Sequence, residues 1–293
     1  MRKYLGEIFL TITAVIWGSG FVASAIALDH WTPYQILAGR FVIGAIILCA
    51  IFFRKLKGIS RKTITQGVIL GIFLYGAFAL QTVGLQFTTP SKNAFLTAVN
   101  VVIVPFIAFI FYKRKVDTFE LVGAIMAMVG VGVLSLKVTG GVNIGDLLTL
   151  GCAVFFALQI FYTAKYVKDS DPILLTLMQM IAAAAIGLIV VIFKGDPVGH
   201  IESEGMLSLL YLGVFSTTVA YLLQTVAQKW MSETTAAIIL STESFWGMVF
   251  SVALLGEVMT IKMLIGAILI LSAIMISETK PAIFKRKKLK EIS

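Results

Sequence analysis

Of the fifteen acidic side chains in the chain, Glu243 alone lies deep inside a long apolar run, about ten residues or roughly 15 Å of helix from its nearer end. A charge in hydrocarbon costs about 2.5 to 3.5 kcal/mol on insertion scales, so a carboxylate there faces a cavity or a partner. Two roles fit Glu243: a proton-coupling or cation-binding carboxylate, and a structural carboxylate that hydrogen-bonds a neighbouring helix. Arg40 is the only basic residue within an apolar run, about 10 Å from the run's end. A long arginine snorkels toward the surface from that depth, so anchoring is its expected role, ahead of binding a substrate carboxylate.

Neutral polar residues supply the rest of the chemistry. Thr217, Tyr221, Gln224 and Gln228 recur at spacings that line one helical face, and Asn93, Thr97 and Asn100 do the same in another run. Gln81, Gln159 and Tyr162 add further polar atoms, and Trp17 and Trp246 add broad apolar faces. Such a set suits a small zwitterion or amine whose ammonium sits against Glu243 or an aromatic ring. It suits phosphate or sulfate poorly, because Arg40 alone could answer a multiple negative charge. Neutral polar pairs also act as glue between helices in lipid, so part of the set is expected to serve packing.

Enzymatic readings find little to build on. No cluster of His, Asp, Ser or Cys appears near a run's end, and there is no G-x-x-x-x-G-K-[ST] phosphate loop through which ATP would drive the protein. His30 and His200 stand apart, so no metal site and no cofactor are expected. Cys49 and Cys152 fall within apolar runs and read as packing residues.

The elements that must position these residues are ten apolar runs, near 6–28, 33–53, 64–86, 91–112, 118–136, 145–166, 172–193, 204–227, 234–256 and 260–277. Each is close to the roughly 20 residues of helix that cross a bilayer core. The chain is 59% hydrophobic and 13% charged, with a mean hydropathy of +0.97. The expected fold is all-α and integral to the membrane, with ten transmembrane helices.

A net charge of +9 invites a nucleic-acid reading, but the basic residues are placed as a membrane protein places them. With the N-terminus inside, the inner segments hold Arg2, Lys3, Arg54, Lys55, Lys57, Arg61, Lys62, Lys113, Arg114, Lys115, Lys165, Lys168, Lys229 and the basic tail, 281–293, whereas only Lys92, Lys137, Lys194 and Lys262 lie outside. Both termini are therefore expected on the cytoplasmic side of the cell membrane, with no nucleic-acid partner. Arg2, Lys3 and the segment Ala23-Ser24-Ala25 also resemble a signal peptide, but the first run is long for one and its removal would break the repeat described next.

Gly6-Glu7 returns as Gly145-Asp146 and Pro33 as Pro172, both 139 residues on (145 − 6). Gln81-Thr82-Val83 returns as Gln224-Thr225-Val226 and Gly123-Ala124-Ile125 as Gly266-Ala267-Ile268, both 143 residues on (224 − 81). The four extra residues fall in the loop around 195–205, as expected of a repeat that tolerates insertion outside its core. Five runs is an odd number, so the second copy enters the membrane from the opposite side, giving an inverted-topology repeat of the kind secondary transporters use. Within it Asn100 is the counterpart of Glu243, and Pro105, the one proline inside a run, is expected to mark a bend that its counterpart Met248 lacks. Small residues at Gly123, Ala127 and Gly130, and at Gly266, Ala267 and Ala273, suit a scaffold or a dimer surface.

Several segments resemble the EamA family of the drug/metabolite transporter superfamily: Ala14-Val15-Ile16-Trp17-Gly18-Ser19-Gly20-Phe21-Val22, Arg40-Phe41-Val42-Ile43-Gly44-Ala45, the stretch from Gly84 through Pro105 to Gly130-Val131, and Leu255-Gly256-Glu257 before Gly266-Ala267. The resemblance spans two five-helix units, 1–138 and 143–280. It implies a central cavity and movement of small metabolites, often amino acids or amines. Two departures are visible: Lys113-Arg114-Lys115 stands where the first unit would carry the family's Gly-Glu turn, and Glu243-Ser244 where Glu-Pro is common. The reading is a carrier that moves small organic solutes, amino acids or related amines first, by alternating access, with Glu243 either coupling protons or holding the fold. Its rivals are a lipophilic-cation exporter and, in a different class, a lipid-moving or assembly factor.

Overall fold

Three prolines mark helix starts. Pro33, Pro90 and Pro172 occupy the first helical turn, where a missing N–H is no loss, each behind an N-cap side chain. Thr32 and Gln35 close a capping box, Thr89 accepts from the Lys92 N–H at 3.4 Å, and Asp171 accepts from the N–H groups of Ile173 and Leu174 at 2.8 and 3.2 Å. At the other ends, Gly195 and Gly256 take φ of 63° and 64°, the left-handed conformation that closes a helix and that glycine adopts without strain.

A computed structural model describes residues 2–113, 117–135, 142–196, 202–231, 236 and 239–279. Arg114, Lys115, Lys137, His200 and the basic tail, 281–293, lie outside the described residues. The helices are α1 (Arg2–Leu28), α2 (Pro33–Leu56), α3 (Arg61–Leu85), α4 (Pro90–Ala98), α5 (Asn100–Tyr112), α6 (Thr118–Ser135), α7 (Ile144–Tyr166), α8 (Pro172–Lys194) and α9 (Ser203–Tyr211). A π-helical stretch, Leu212–Val219, joins α9 to α10 (Ala220–Gln228), and α11 (Glu243–Leu255) and α12 (Ile261–Thr279) follow. There is no strand among the described residues. Among the described residues, seven helical runs are long and apolar enough to cross a membrane, and Thr118–Leu134, Ile239–Leu255 and Ile261–Ile276 are shorter apolar helices.

The distribution of side chains is that of a protein in lipid. Ile192 and Phe193 are 76% and 86% exposed, and Ile51, Met128 and Leu254 also point outward, whereas Gln159, Gln179, Gln224, Asn93 and Thr149 are fully buried. A helix satisfies its own backbone hydrogen bonds in hydrocarbon, which suits the apolar runs.

Small residues set the crossings. A Cβ on Gly18 of α1 would lie 2.4 Å from Trp246 Cβ of α11, and one on Gly145 of α7 would lie 2.4 Å from the Gly84 carbonyl oxygen of α3. Gly67 and Gly71 admit α8 to α3, and Gly187 admits Ala38 of α2 to α8. Gly130 of α6 and Gly266 of α12 meet each other's helix, so the stripes of small residues in these two helices are used within the chain.

Candidate functional site

A cavity of about 450 Å³ lies where α1, α2, α3, α7 and the runs 90–112, 203–228 and 239–255 converge, and both halves of the chain wall it. Its lining follows helical periodicity. From α1 come Trp17, Gly20, Phe21 and Ser24; from α2, Arg40; from α3, Phe78 and Gln81; and from α7, Phe156, Gln159 and Ile160. Ser216 reaches it from the π-helical stretch, Tyr221 from α10, and Thr97, Asn100 and Glu243 from the two remaining runs.

Those two runs are interrupted at matching positions. Between α4 and α5 the Val99 N–H turns back to the Leu96 carbonyl at 3.3 Å, and ahead of α11 the Thr242 N–H turns back to the Ile239 carbonyl at 3.2 Å. Each is a single tightened turn of the 3₁₀ type, and the next residue, Asn100 in one and Glu243 in the other, points into the cavity. Pro105 lies within α5, six residues past the break, and the run without a proline breaks at the same place. The tightened turn is therefore common to both copies, whereas the proline belongs to the first copy alone.

Arg40 does not snorkel. It is 1% exposed, donates from Nε to Thr217 Oγ1 at 2.8 Å and from a terminal nitrogen to Ser216 Oγ at 3.1 Å, and holds its guanidinium carbon 3.9 Å from the centre of the Phe78 ring. Its acceptors sit on the π-helical stretch, where the wider turn rotates Ser216 and Thr217 toward α2. From the same stretch the Ser216 carbonyl accepts from Trp17 Nε1 at 3.1 Å. The outward route expected for Arg40 loses to two charge-assisted hydrogen bonds and an aromatic face.

Glu243 is 6% exposed and makes no ion pair among the described residues. Aromatic rings surround the space: Trp17 and Tyr221 lie 5.0 Å apart, and Phe78 packs edge-on against Phe156 at 5.2 Å and Tyr221 at 6.1 Å. Gln81 donates to Thr97 Oγ1 at 3.1 Å, and Gln159 to Gln179 Oε1 at 3.2 Å.

Four residues expected at the site stand elsewhere. Asn93 is spent on the Gln81 carbonyl and Thr149, at 3.2 and 2.9 Å. Tyr162 belongs to an aromatic cluster with Phe73, Phe111, Phe161 and Tyr166. Trp246 packs at the Gly18 crossing and against Phe245 and Phe250. Gln224 is fully buried with neither amide atom bonded among the described residues, and the counterpart of Thr97, which holds Gln81, is Leu240. Conversely, Phe21, Phe78, Phe156, Ile160 and Ser216 line the cavity without having been singled out. Nothing in an apolar run marks which phenylalanine faces lipid and which a cavity.

One helical turn further along α1, a second and more open hollow of about 620 Å³ is lined by Ala25, Leu28, Asp29, Leu85, Gln86, Thr88 and Pro90. At the opposite end of the molecule the counterparts Ala164, Val167 and Gln228 are buried, Met231 is half-buried, and Lys168 and Lys229 are exposed. That end is tied by Lys55 to Asp171 at 2.8 Å, Lys62 to Asp169 at 3.0 Å, and Ser170 to Gln66 at 2.7 Å. Burial alone would raise the Asp171 carboxyl, but the Lys55 ammonium and the N–H groups of Leu174 and Ile173 outweigh it and hold it below the usual carboxylate range.

Comparison with known proteins agrees with this geometry. The sequence matches the EamA-like transporter family twice, over residues 4–136 and 143–279. An "uncharacterized transporter" of Archaeoglobus fulgidus is 35% identical over 276 residues, covering 94% of this chain and 86% of its own. The "uncharacterized transporter YyaM" of Bacillus subtilis is 24% identical over 274 residues, covering 89% and 90%. A solved crystal structure shares the fold at a TM-score of 0.70 and 14% identity, over 94% of this chain and 96% of that one. The chain belongs to the EamA-like transporter family and is a multi-pass membrane transporter.

Proposed function

We propose that the protein is a secondary transporter that moves small organic metabolites, amino acids or related amines first among them, across the cytoplasmic membrane by alternating access, with protons coupled through Glu243. The observation that carries this reading is an aromatic-walled cavity with polar groups, built by both halves, where an acid without an ionic partner among the described residues stands at a tightened helical turn. Glu243 with its aromatic surroundings suits an ammonium group.

The architecture we infer is ten crossing helices in two inverted five-helix repeats, with both termini cytoplasmic. Helix neighbours support it, because they exchange under the repeat: α3 packs on α7 as α1 packs on the run 203–228, α3 packs on α8 as α2 packs on that run, and α1 packs on α11 as α7 packs on α4 and α5. Two arrangements related by such an exchange are close in energy, which is what a rocking carrier needs. In the exchanged arrangement Gln224 takes the place that Gln81 holds here, and the hollow beside Asp29 closes while its counterpart opens.

Uptake of labelled amino acids and amines into proteoliposomes, with and without a pH gradient, tests the reading. Saturable flux that follows the gradient is expected, and absence of flux with every member from folded protein contradicts it. The five aromatic residues of the wall, Trp17, Phe21, Phe78, Phe156 and Tyr221, favour a second reading, an exporter of lipophilic cations. In that case flux of such cations exceeds that of every amino acid.

A further inference from the structure

We propose that Arg40 is the receptor for a substrate carboxylate, so that the cavity takes solutes carrying one carboxylate together with a cationic group and rejects the same molecules without it. The inference rests on the transport reading above and narrows it.

Arg40 is a buried cation whose partners are all neutral: the hydroxyls of Ser216 and Thr217 and the face of Phe78. No carboxylate pairs with it among the described residues, although Glu243 lines the same cavity. Burying an arginine without a counter-ion is unfavourable unless something else is gained. Two hydroxyls and one ring fix the plane of the guanidinium while using only two of its five N–H donors. A planar fork held in place with donors to spare, at the wall of a cavity, is the geometry that binds a carboxylate in two-pronged fashion.

The other half of the molecule shows that the fold does not require this charge. The counterpart of Arg40 is Gln179, a neutral amide that accepts from Gln159 and does not line the cavity. A purely packing role at this depth is met there by an amide. An arginine fork and a carboxyl group in one cavity match the two ends of a zwitterion, and a lone arginine leaves the second charge of a phosphate unanswered.

Binding to the purified, reconstituted protein is measured for phenylalanine and leucine, each against its decarboxylated amine and its methyl ester, in wild type and in Arg40→Gln and Arg40→Lys. In wild type the free amino acids bind about 10- to 100-fold more tightly than their amines and esters, the range of a charged hydrogen-bonded contact. Arg40→Gln removes that preference, and Arg40→Lys keeps part of it. Amines or esters that bind wild type as tightly as the parent amino acids overturn the assignment and leave amine transport standing. The wild-type comparison does not depend on either variant folding. Absence of binding by all three classes overturns both the assignment and the substrate class proposed above.

Discussion

The run from Pro90 to Tyr112 and the run from 239 to 255 each tighten for one residue, at Val99 and at Thr242, and each presents the next side chain to the same cavity; in the first that side chain is Asn100 and in the second Glu243. A similar pair is formed by α3, a continuous α-helix, and its counterpart 203–228, which opens into a π-helical stretch and so delivers Ser216 and Thr217 to Arg40. The repeated backbone brings these positions to one cavity, and the differences between the copies decide their charge. Symmetry supplies the frame, and its local violations supply the chemistry.

That comparison is sharpened first at the two breaks. Glu243→Gln abolishes accumulation driven by a pH gradient, whereas Asn100→Ala lowers flux by about tenfold, the loss of one neutral contact of about 1.4 kcal/mol. Gradient-driven uptake by both variants in proteoliposomes checks this, and equal effects would mean that the two positions are equivalent.

A second contrast lies at the crossings. Gly145 and Gly6 are counterparts, but a Cβ on Gly145 meets the Gly84 backbone at 2.4 Å, and one on Gly6 meets only the flexible Met231 side chain at 2.8 Å. Gly145→Ala is expected to destabilise by about 1 to 3 kcal/mol, as overpacking does, and Gly6→Ala by less. Thermal unfolding in detergent separates them.

A third concerns the closed end. Asp171 has a depressed folded value, so its pairing with Lys55 contributes stability that is present above the ordinary carboxylate value of about 3.9 and lost as pH falls through the lower folded value. Asp171→Asn keeps an N-cap and loses the charge, and half of the pair is solvent-accessible. The variant should be less stable than wild type by under about 1 kcal/mol at pH 7, with the gap closing only under strongly acid conditions. The smallest effect belongs to Pro105→Ala, which leaves turnover unchanged because the break is at Val99.

The helices were legible because a residue suited to lipid looks the same wherever it stands in an apolar run, and the polar breaks between runs are unambiguous. Glu243, Asn100, Thr97, Gln81 and Gln159 were legible for the opposite reason: a polar group in hydrocarbon demands an explanation. Phe78 and Phe156 were not, since their composition is equally that of a lipid-facing helix. The stripe Thr217, Tyr221, Gln224 and Gln228 was legible as one face, but the π-helical stretch ahead of Tyr221 adds Ser216 to the cavity wall, and Tyr221 lines the cavity whereas Gln224 does not. Arg40 showed its depth but not its direction, which depends on hydroxyls 176 and 177 residues away.

The central claim is that this cavity is reached from each face in turn by exchange of the two halves. Its most direct test is the reactivity of Gln224→Cys, in a chain with Cys49 and Cys152 replaced, toward a membrane-impermeant thiol reagent applied from the side opposite the Asp29 hollow. Buried here, position 224 is predicted to become reactive from that side during substrate turnover and to be protected when substrate holds the cavity open to the other. A cysteine at this position that stays inert from that side throughout turnover would contradict the account.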